Sequence, residues 1–180
     1  MHGAHEQQGL PDDPSTDQLT FRQPQRRDGA ALHRLIAACP PLDLNSIYAY
    51  LLLCLHHSQT SVIAEIDGQI VGTVTAYRPP AQPDTLFIWQ VAVAPQQRGQ
   101  RIGQRMLEHL LEHCIKARHL RWMETTISPG NAASIRLFTQ LSLQHDAGIS
   151  ITPLFAAKDF GESGHKEEQL YKIGPWNRPT

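Results

Sequence analysis

No apolar stretch in the sequence approaches the ~20 residues that a membrane-spanning helix requires. The longest run, Ala49–Leu55, is short and lies inside a helix-like segment. Net charge is also small, formally −1, so neither a nucleic acid nor an anionic membrane surface is an expected partner. Cysteine is scarce: Cys39, Cys54 and Cys114 are odd in number. Their apolar, helix-like surroundings speak against a disulfide framework and for reduced core thiols in a cytoplasmic protein. The opening "MHGAHEQQGLPDDPSTDQ" lacks a basic start followed by an apolar segment, so it does not read as a signal peptide. Its polar, Pro- and Asp-rich composition predicts a disordered tail over 1–18, and its His2 and His5 are not expected to hold a metal. No internal repeat is present. The 180 residues fit one domain with a substantial core, expected over 19–176 and followed by a short tail, 177–180.

Hydrophobic periodicity predicts the element order β-α-α-β-β-β-α-β-α-β-β, a mixed α/β sheet. "LTFRQP" is a short first strand. Asp28 is the expected N-cap of a helix carrying Leu32, Leu35, Ile36 and Cys39, stopped by Pro40-Pro41. Asn45 or Ser46 is expected to cap the next helix. Asp67-Gly68 marks a hairpin turn between "TSVIAEI" and "QIVGTVTAYR". "TLFIWQVAVA" reads as a central strand buried on both faces. A third helix from Ile102 to Ala117 bears the stripe Met106, Leu107, Leu110, Leu111, Cys114 and Ile115. "LRWMETTI" is a strand, Asn131 opens a fourth helix, and "AGISITPLF" and "EEQLYKI" close the chain around the polar loop "AAKDFGESGHK".

The most informative stretch is "VAVAPQQRGQRIG", residues 91–103. A helix entered from a strand through a glycine turn presents backbone N–H groups and the positive end of its dipole, a site that suits a pyrophosphate. Arg98 and Arg101 add formal charge, and Gly99 and Gly103 allow close backbone approach. The chain has neither G-x-x-x-x-G-K-[ST] nor G-x-G-x-x-G. What remains, Arg98-Gly99-Gln100-Arg101-Ile102-Gly103, resembles the acetyl-coenzyme A loop of the GNAT N-acetyltransferases, Q/R-x-x-G-x-G/A, with Arg101 in place of the middle glycine. The resemblance implies an α/β fold with a mostly antiparallel sheet splayed at its central strand. It also implies acetyl-coenzyme A as co-substrate and no metal. The pantetheine arm would be bound by the strand backbone at Val91, Ala92 and Val93, and the pyrophosphate by Arg98, Gly99, Gln100, Arg101, Ile102 and Gly103. Asn131 and Phe138 would border the cofactor; Phe138 stands where many members place a tyrosine near the leaving thiolate, and it cannot donate a proton.

Four further stretches, "LDLNSIYAYLLLCLHHSQTSVIAE", "PDTLFIWQVAVAP", "ETTISPGNAASIRLF" and "HKEEQLYKIGP", resemble the L-2,4-diaminobutyrate acetyltransferases. This implies acetyl transfer to the 4-amino group of L-2,4-diaminobutyrate, a product feeding ectoine synthesis, and a homodimer. Such a substrate carries two amines and one carboxylate. Candidates for binding it are Asp43, Ser46, Tyr48, Trp89, Thr126 and Glu168. Asp43 is equally suited to capping a helix, and only one of Tyr48 and Tyr50 can face the site. Glu124, mid-strand, would be costly to bury unpaired; a cationic substrate would pair it, and it is the expected general base, directly or through water. His165 is the second candidate base, and Tyr171 a remote candidate for protonating the thiol.

Two other patterns are set aside. His109-Leu110-Leu111-Glu112-His113 matches H-x-x-E-H, but the face that it shares with Gln104, Arg105, Glu108 and Lys116 reads as solvated. Cys54-Leu55-His56-His57 reads as a core thiol ending a helix. Two alternatives stand beside the small-molecule acetyltransferase: a peptide or protein acetyltransferase, and an acetyl-coenzyme A-binding module without catalysis.

Overall fold

A computed structural model describes residues 19–118 and 120–176, with side chains described outside 115–119. The expected tails, with His2 and His5, and the side chains of Ile115 and Lys116 lie outside the described residues. Seven strands form one sheet: β1 (Thr20–Arg22), β2 (Val62–Ile66), β3 (Gln69–Tyr77), β4 (Thr85–Val93), β5 (Trp122–Ile127), β6 (Ile149–Phe155) and β7 (Glu168–Ile173). Four helices flank it: α1 (Gly29–Ala37), α2 (Ile47–His56), α3 (Ile102–Arg118) and α4 (Ala132–Gln144). The expected element order is the observed one.

Local chemistry sets the boundaries. Asp67 and Gly68 both take positive φ, 50° and 72°, the geometry that joins β2 to β3 with the right twist. The Ser46 side chain accepts from Ala49 N and caps α2, and Asn131 Oδ1 accepts from Ser134 N and caps α4. Asp28 does not cap α1 with its side chain. Its carboxylate is held by Arg22 at 2.7 Å and by the Gln25 N–H, because a guanidinium and a neighbouring turn offer it more donors than the helix end does.

The strand order is β1-β2-β3-β4-β5-β7-β6, and only β4 and β5 run parallel. One face packs against α3 and α4. Met106, Leu107, Leu110 and Leu111 are all but fully buried there with Leu86, Ile88, Met123 and Ile173, and each such side chain contributes about 1.5–3 kcal/mol by leaving water. The other face meets α1 and α2 through Leu32, Ile36, Tyr50, Ile63 and Ala92. On α3, His109, Glu112 and His113 are exposed as expected, whereas Gln104 is buried and bonded to Glu108 and Gln144.

Two irregularities in β4 shape the molecule. Thr85–Ile88 pair with Trp122–Thr125, and beyond Ile88 no residue of β4 has a partner on β5, while β5 continues on β7 through Ile127. The two parallel strands therefore splay. The register with β3 shifts between Thr75, opposite Gln90, and Ala76, opposite Ile88, so Trp89 is the extra residue of a β-bulge. The bulge reverses the strand's alternation. Leu86 and Ile88 face the α3–α4 core, but after the bulge Val91 and Val93 do, and Ala92 turns to the α1–α2 side. The expected strand buried on both faces is thus interrupted at Trp89, which is 40% exposed.

Candidate active site

The splay opens a cavity of about 720 Å³. Its floor is the β4 segment Ile88–Val91, with Thr125–Ile127 of β5 opposite. Its walls come from the α1–α2 loop (Pro41–Asp43), the start of α4 (Gly130–Ser134 and Phe138) and the β6–β7 connection (Phe160, His165, Lys166) leading to Glu168. Among the expected substrate residues, Asp43, Trp89, Thr126 and Glu168 line it, as do the expected cofactor residues Val91, Asn131 and Phe138. Asp43 does not cap α2, because Ser46 does.

At one side of the cavity, His165 Nε2 lies 3.2 Å from Asp43 Oδ2 and its Nδ1 lies 2.7 Å from the Lys166 carbonyl. Both partners are acceptors, an arrangement that favours the ring protonated on both nitrogens. Its pKa is raised above the ordinary 6.5, first by the Lys166 carbonyl, against some burial, and then by Asp43 and Glu168. Phe160 stacks on the ring with centroids 4.0 Å apart. Glu168 Oε1 accepts from Ser128 Oγ at 2.6 Å.

Several expected positions lie elsewhere. Glu124 is 6% exposed and does not line the cavity. Its carboxylate pairs with Lys172 Nζ at 3.0 Å, so a neighbouring strand supplies the cation expected of a substrate. It lies two residues from Thr126 on the same face of β5. Ser46 is occupied as a cap. Tyr48 is 68% exposed and outside the lining, while Tyr50 is the buried member of that pair. Tyr171 is in the α3–α4 core. His165, the second candidate base, does line the cavity, with its ring nitrogens directed at Asp43 and the Lys166 carbonyl. Cys54 is an inert core thiol, its pKa pushed up to about 11 mainly by burial.

The 95–103 loop leads from β4 through a short turn, Pro95–Gln97, into α3. Gly99 has φ 85° and Arg101 has φ 59°. Arg101 therefore takes the left-handed conformation in which a side chain costs roughly 1–2 kcal/mol; the glycine of the GNAT pattern would hold that geometry without the penalty. The Arg101 carbonyl accepts from Arg105 N, so the first turn of α3, from Ile102 and Gly103, presents its amides without intrahelical acceptors. Arg98 Nε reaches the Val93 carbonyl at 3.4 Å and Gln100 bonds Gln97. This is the geometry of an anion cradle at the end of the splayed strand, and it fits a pyrophosphate joined to an arm lying along β4.

Sequence reasoning did not single out the side chain of Gln90 or the residues Ser128, Phe160 and Lys166. Phe160, the one aromatic of "AAKDFGESGHK", was the available signal.

The family model described as Acetyltransferase (GNAT) family matches residues 29–142. The chain is 51% identical over 160 residues to an L-2,4-diaminobutyric acid acetyltransferase of Bordetella parapertussis, covering 88% of this chain and 86% of that protein. It is 42% identical over 167 residues to the enzyme of the same name from Methylotuvimicrobium alcaliphilum, covering 93% and 96%. Among solved structures it matches the diaminobutyrate acetyltransferase of Paenibacillus lautus in complex with its substrate L-2,4-diaminobutyric acid and coenzyme A, with TM-score 0.85, 39% identity, and 92% and 99% of the two chains covered. The splayed sheet, the amide cradle at α3 and these similarities together show that the chain belongs to the L-2,4-diaminobutyric acid acetyltransferase family of GNAT acetyltransferases.

Proposed function

We propose that the protein transfers the acetyl group of acetyl-coenzyme A to the 4-amino group of L-2,4-diaminobutyrate, giving N4-acetyl-L-2,4-diaminobutyrate. The observation that carries this reading is the convergence of Asp43, His165, Lys166 and Glu168 on the cavity of the splayed strands. Two carboxylates match the substrate's two ammonium groups, and an imidazolium and a lysine match its carboxylate. The β6–β7 connection, drawn to Asp43 through His165, narrows this side of the cavity, which favours a small amine over a peptide.

The co-substrate supplies a thioester carbonyl. On this chain, the backbone from Val91 to Val93 lines up its pantetheine arm, and the α3 amides with Arg98, Gln100 and Arg101 hold its pyrophosphate. Asn131 and Phe138 border the thioester, and Trp89 packs beside the acceptor amine. An alkylammonium has a pKa of ~10.4 and must lose a proton before it can attack. Glu124 takes that proton through water, since it lies two residues from Thr126 and does not line the cavity. Positioning of the two substrates supplies much of the remaining acceleration, because no covalent enzyme adduct is required.

The functional unit in this reading is one GNAT domain over 19–176. The enzyme is a cytoplasmic homodimer whose product feeds ectoine synthesis and so osmoprotection. Among the described residues no helix is long and apolar enough to cross a membrane. Support for a dimer comes from edge strand β6, exposed along its whole length with Ile149, Ile151, Leu154 and Phe155 uncovered.

The test is thiol release from acetyl-coenzyme A with L-2,4-diaminobutyrate, lysine, ornithine and a mixed peptide pool, followed by NMR of the product. The expected result is turnover confined to diaminobutyrate with acetylation at N4. Turnover on another amine alone would overturn the substrate. Bound acetyl-coenzyme A with no turnover on any amine would leave a binding module.

A further inference from the structure

The loop between α1 and α2 has no regular ladder of its own, yet it must present Asp43 at a fixed place. Backbone polar groups in such a loop need partners, and here they are found on the central strand and on α2. Cys39 Sγ donates to the Val93 carbonyl at 3.4 Å. Gln90 Nε2 donates to the Asp43 carbonyl at 2.7 Å. The Tyr50 hydroxyl accepts from Asn45 N at 3.3 Å and donates to Gln90 Oε1 at 3.2 Å. Gln90 and Tyr50 are 4% and 0% exposed. The Asp43 carbonyl accepts only, so the amide nitrogen must face it and the amide oxygen must face Tyr50.

The bulge makes this arrangement possible. With unbroken alternation, residue 90 would share the face of Ile88 and point into the α3–α4 core. The extra residue, Trp89, turns Gln90 to the opposite face, and the Gln90 N–H is taken by Thr75 Oγ1 at 3.1 Å. One backbone irregularity therefore exposes Trp89 to the cavity and aims Gln90 at the loop.

We propose that Gln90 is a positioning residue: it clamps the acceptor loop to the cofactor-binding strand and sets the place of Asp43 for the diamino acid. This inference rests on the reading of Asp43 as a substrate-binding residue. Gln90 acts through Asp43, so its removal changes diaminobutyrate binding and leaves the amide cradle of α3 as it was.

The test is a double-mutant cycle with Asp43→Ala. Gln90→Leu removes both side-chain bonds. Gln90→Glu keeps the size and the acceptor for Tyr50 but sets a carboxylate oxygen against the Asp43 carbonyl, and it keeps the test open should the leucine variant fail to fold. Both variants are expected to raise KM for diaminobutyrate about tenfold, the scale of one buried hydrogen bond to an otherwise unsatisfied group, with kcat and KM for acetyl-coenzyme A within about twofold. In the Asp43→Ala background, Gln90→Leu is expected to add less than about twofold, since the residue it positions is gone. Full additivity, or an equal loss of acetyl-coenzyme A affinity, would overturn the clamp alone. An unchanged KM in Asp43→Ala by itself would instead overturn the acceptor-site reading on which the clamp depends.

Discussion

The two sides of the splayed cavity are built in opposite ways. The proposed cofactor side is contiguous: β4, the 95–103 turn and the first turn of α3 follow one another in the chain, and backbone groups would make the site. The acceptor side is assembled from distant segments through side chains. His165 and Asp43 are 122 positions apart, Ser128 and Glu168 are 40 apart, and Gln90 and Asp43 are 47 apart. A backbone cradle depends on the course of its amides, which Arg101 adopts at φ 59°, more than on side-chain identity. A side-chain constellation depends on each member and on whatever holds it.

The largest expected effect lies just behind the cavity wall, at the proposed base. Glu124→Gln is predicted to lower kcat by about a hundredfold, the lower end of what a general base contributes, with acetyl-coenzyme A affinity nearly unchanged. Steady-state kinetics with a parallel thermal melt would separate this from the loss of the Lys172 pair. A wild-type kcat would remove Glu124 from the chemistry and leave it as the ionic partner of Lys172.

Next comes Asp43→Ala, expected to raise KM for diaminobutyrate by about thirtyfold through loss of one charge-assisted contact.

A smaller effect is set by pH. His165 has a raised folded pKa, so its charge, and the contribution of that charge to stability, is complete below 6.5 and is lost as pH rises through the folded value. KM for diaminobutyrate is expected to climb on that alkaline limb, and the limb is expected to vanish in His165→Gln. NMR titration of the ring should place its pKa above 6.5 in the wild type. In Asp43→Asn the pKa should fall while staying above 6.5, because the Lys166 carbonyl is the larger cause.

The smallest effect is expected on the cofactor side. Arg101→Gly relieves a left-handed side chain at φ 59° and should stabilise the fold by about 1 kcal/mol. Acetyl-coenzyme A affinity should move less than threefold and KM for diaminobutyrate not at all, as read by thermal melts and calorimetry.

The same contrast explains what the sequence disclosed. Element order, the hairpin at Asp67-Gly68, the start of α4 at Asn131, and the strand–turn–helix course through 95–103 all rest on local periodicity and turn chemistry, and all were legible. The bulge was hidden because "LFIWQVAVA" is apolar at both parities, so a slip in alternation leaves no mark in composition. Asp43, Trp89, Thr126 and Glu168 came from family resemblance, not from spacing, and they line the cavity. The pairing of Glu124 with Lys172 was not legible, because it lies across a strand pairing that no local pattern announces. Ser46 and Asp28 turned on competition among nearby donors and acceptors, which only the folded geometry resolves.

In the proposed reading the two half-sites are separable: a backbone cradle at 95–103 for acetyl-coenzyme A, and a side-chain constellation in the cavity for the diamino acid. Calorimetric titration of acetyl-coenzyme A into wild type and Asp43→Ala, alongside diaminobutyrate kinetics on the same samples, tests this most directly. Cofactor affinity is expected to stay the same within about twofold, on the additivity expected of independent sites, while KM for diaminobutyrate rises about thirtyfold. A matching loss of cofactor affinity in Asp43→Ala, or an unchanged diaminobutyrate KM, would contradict it.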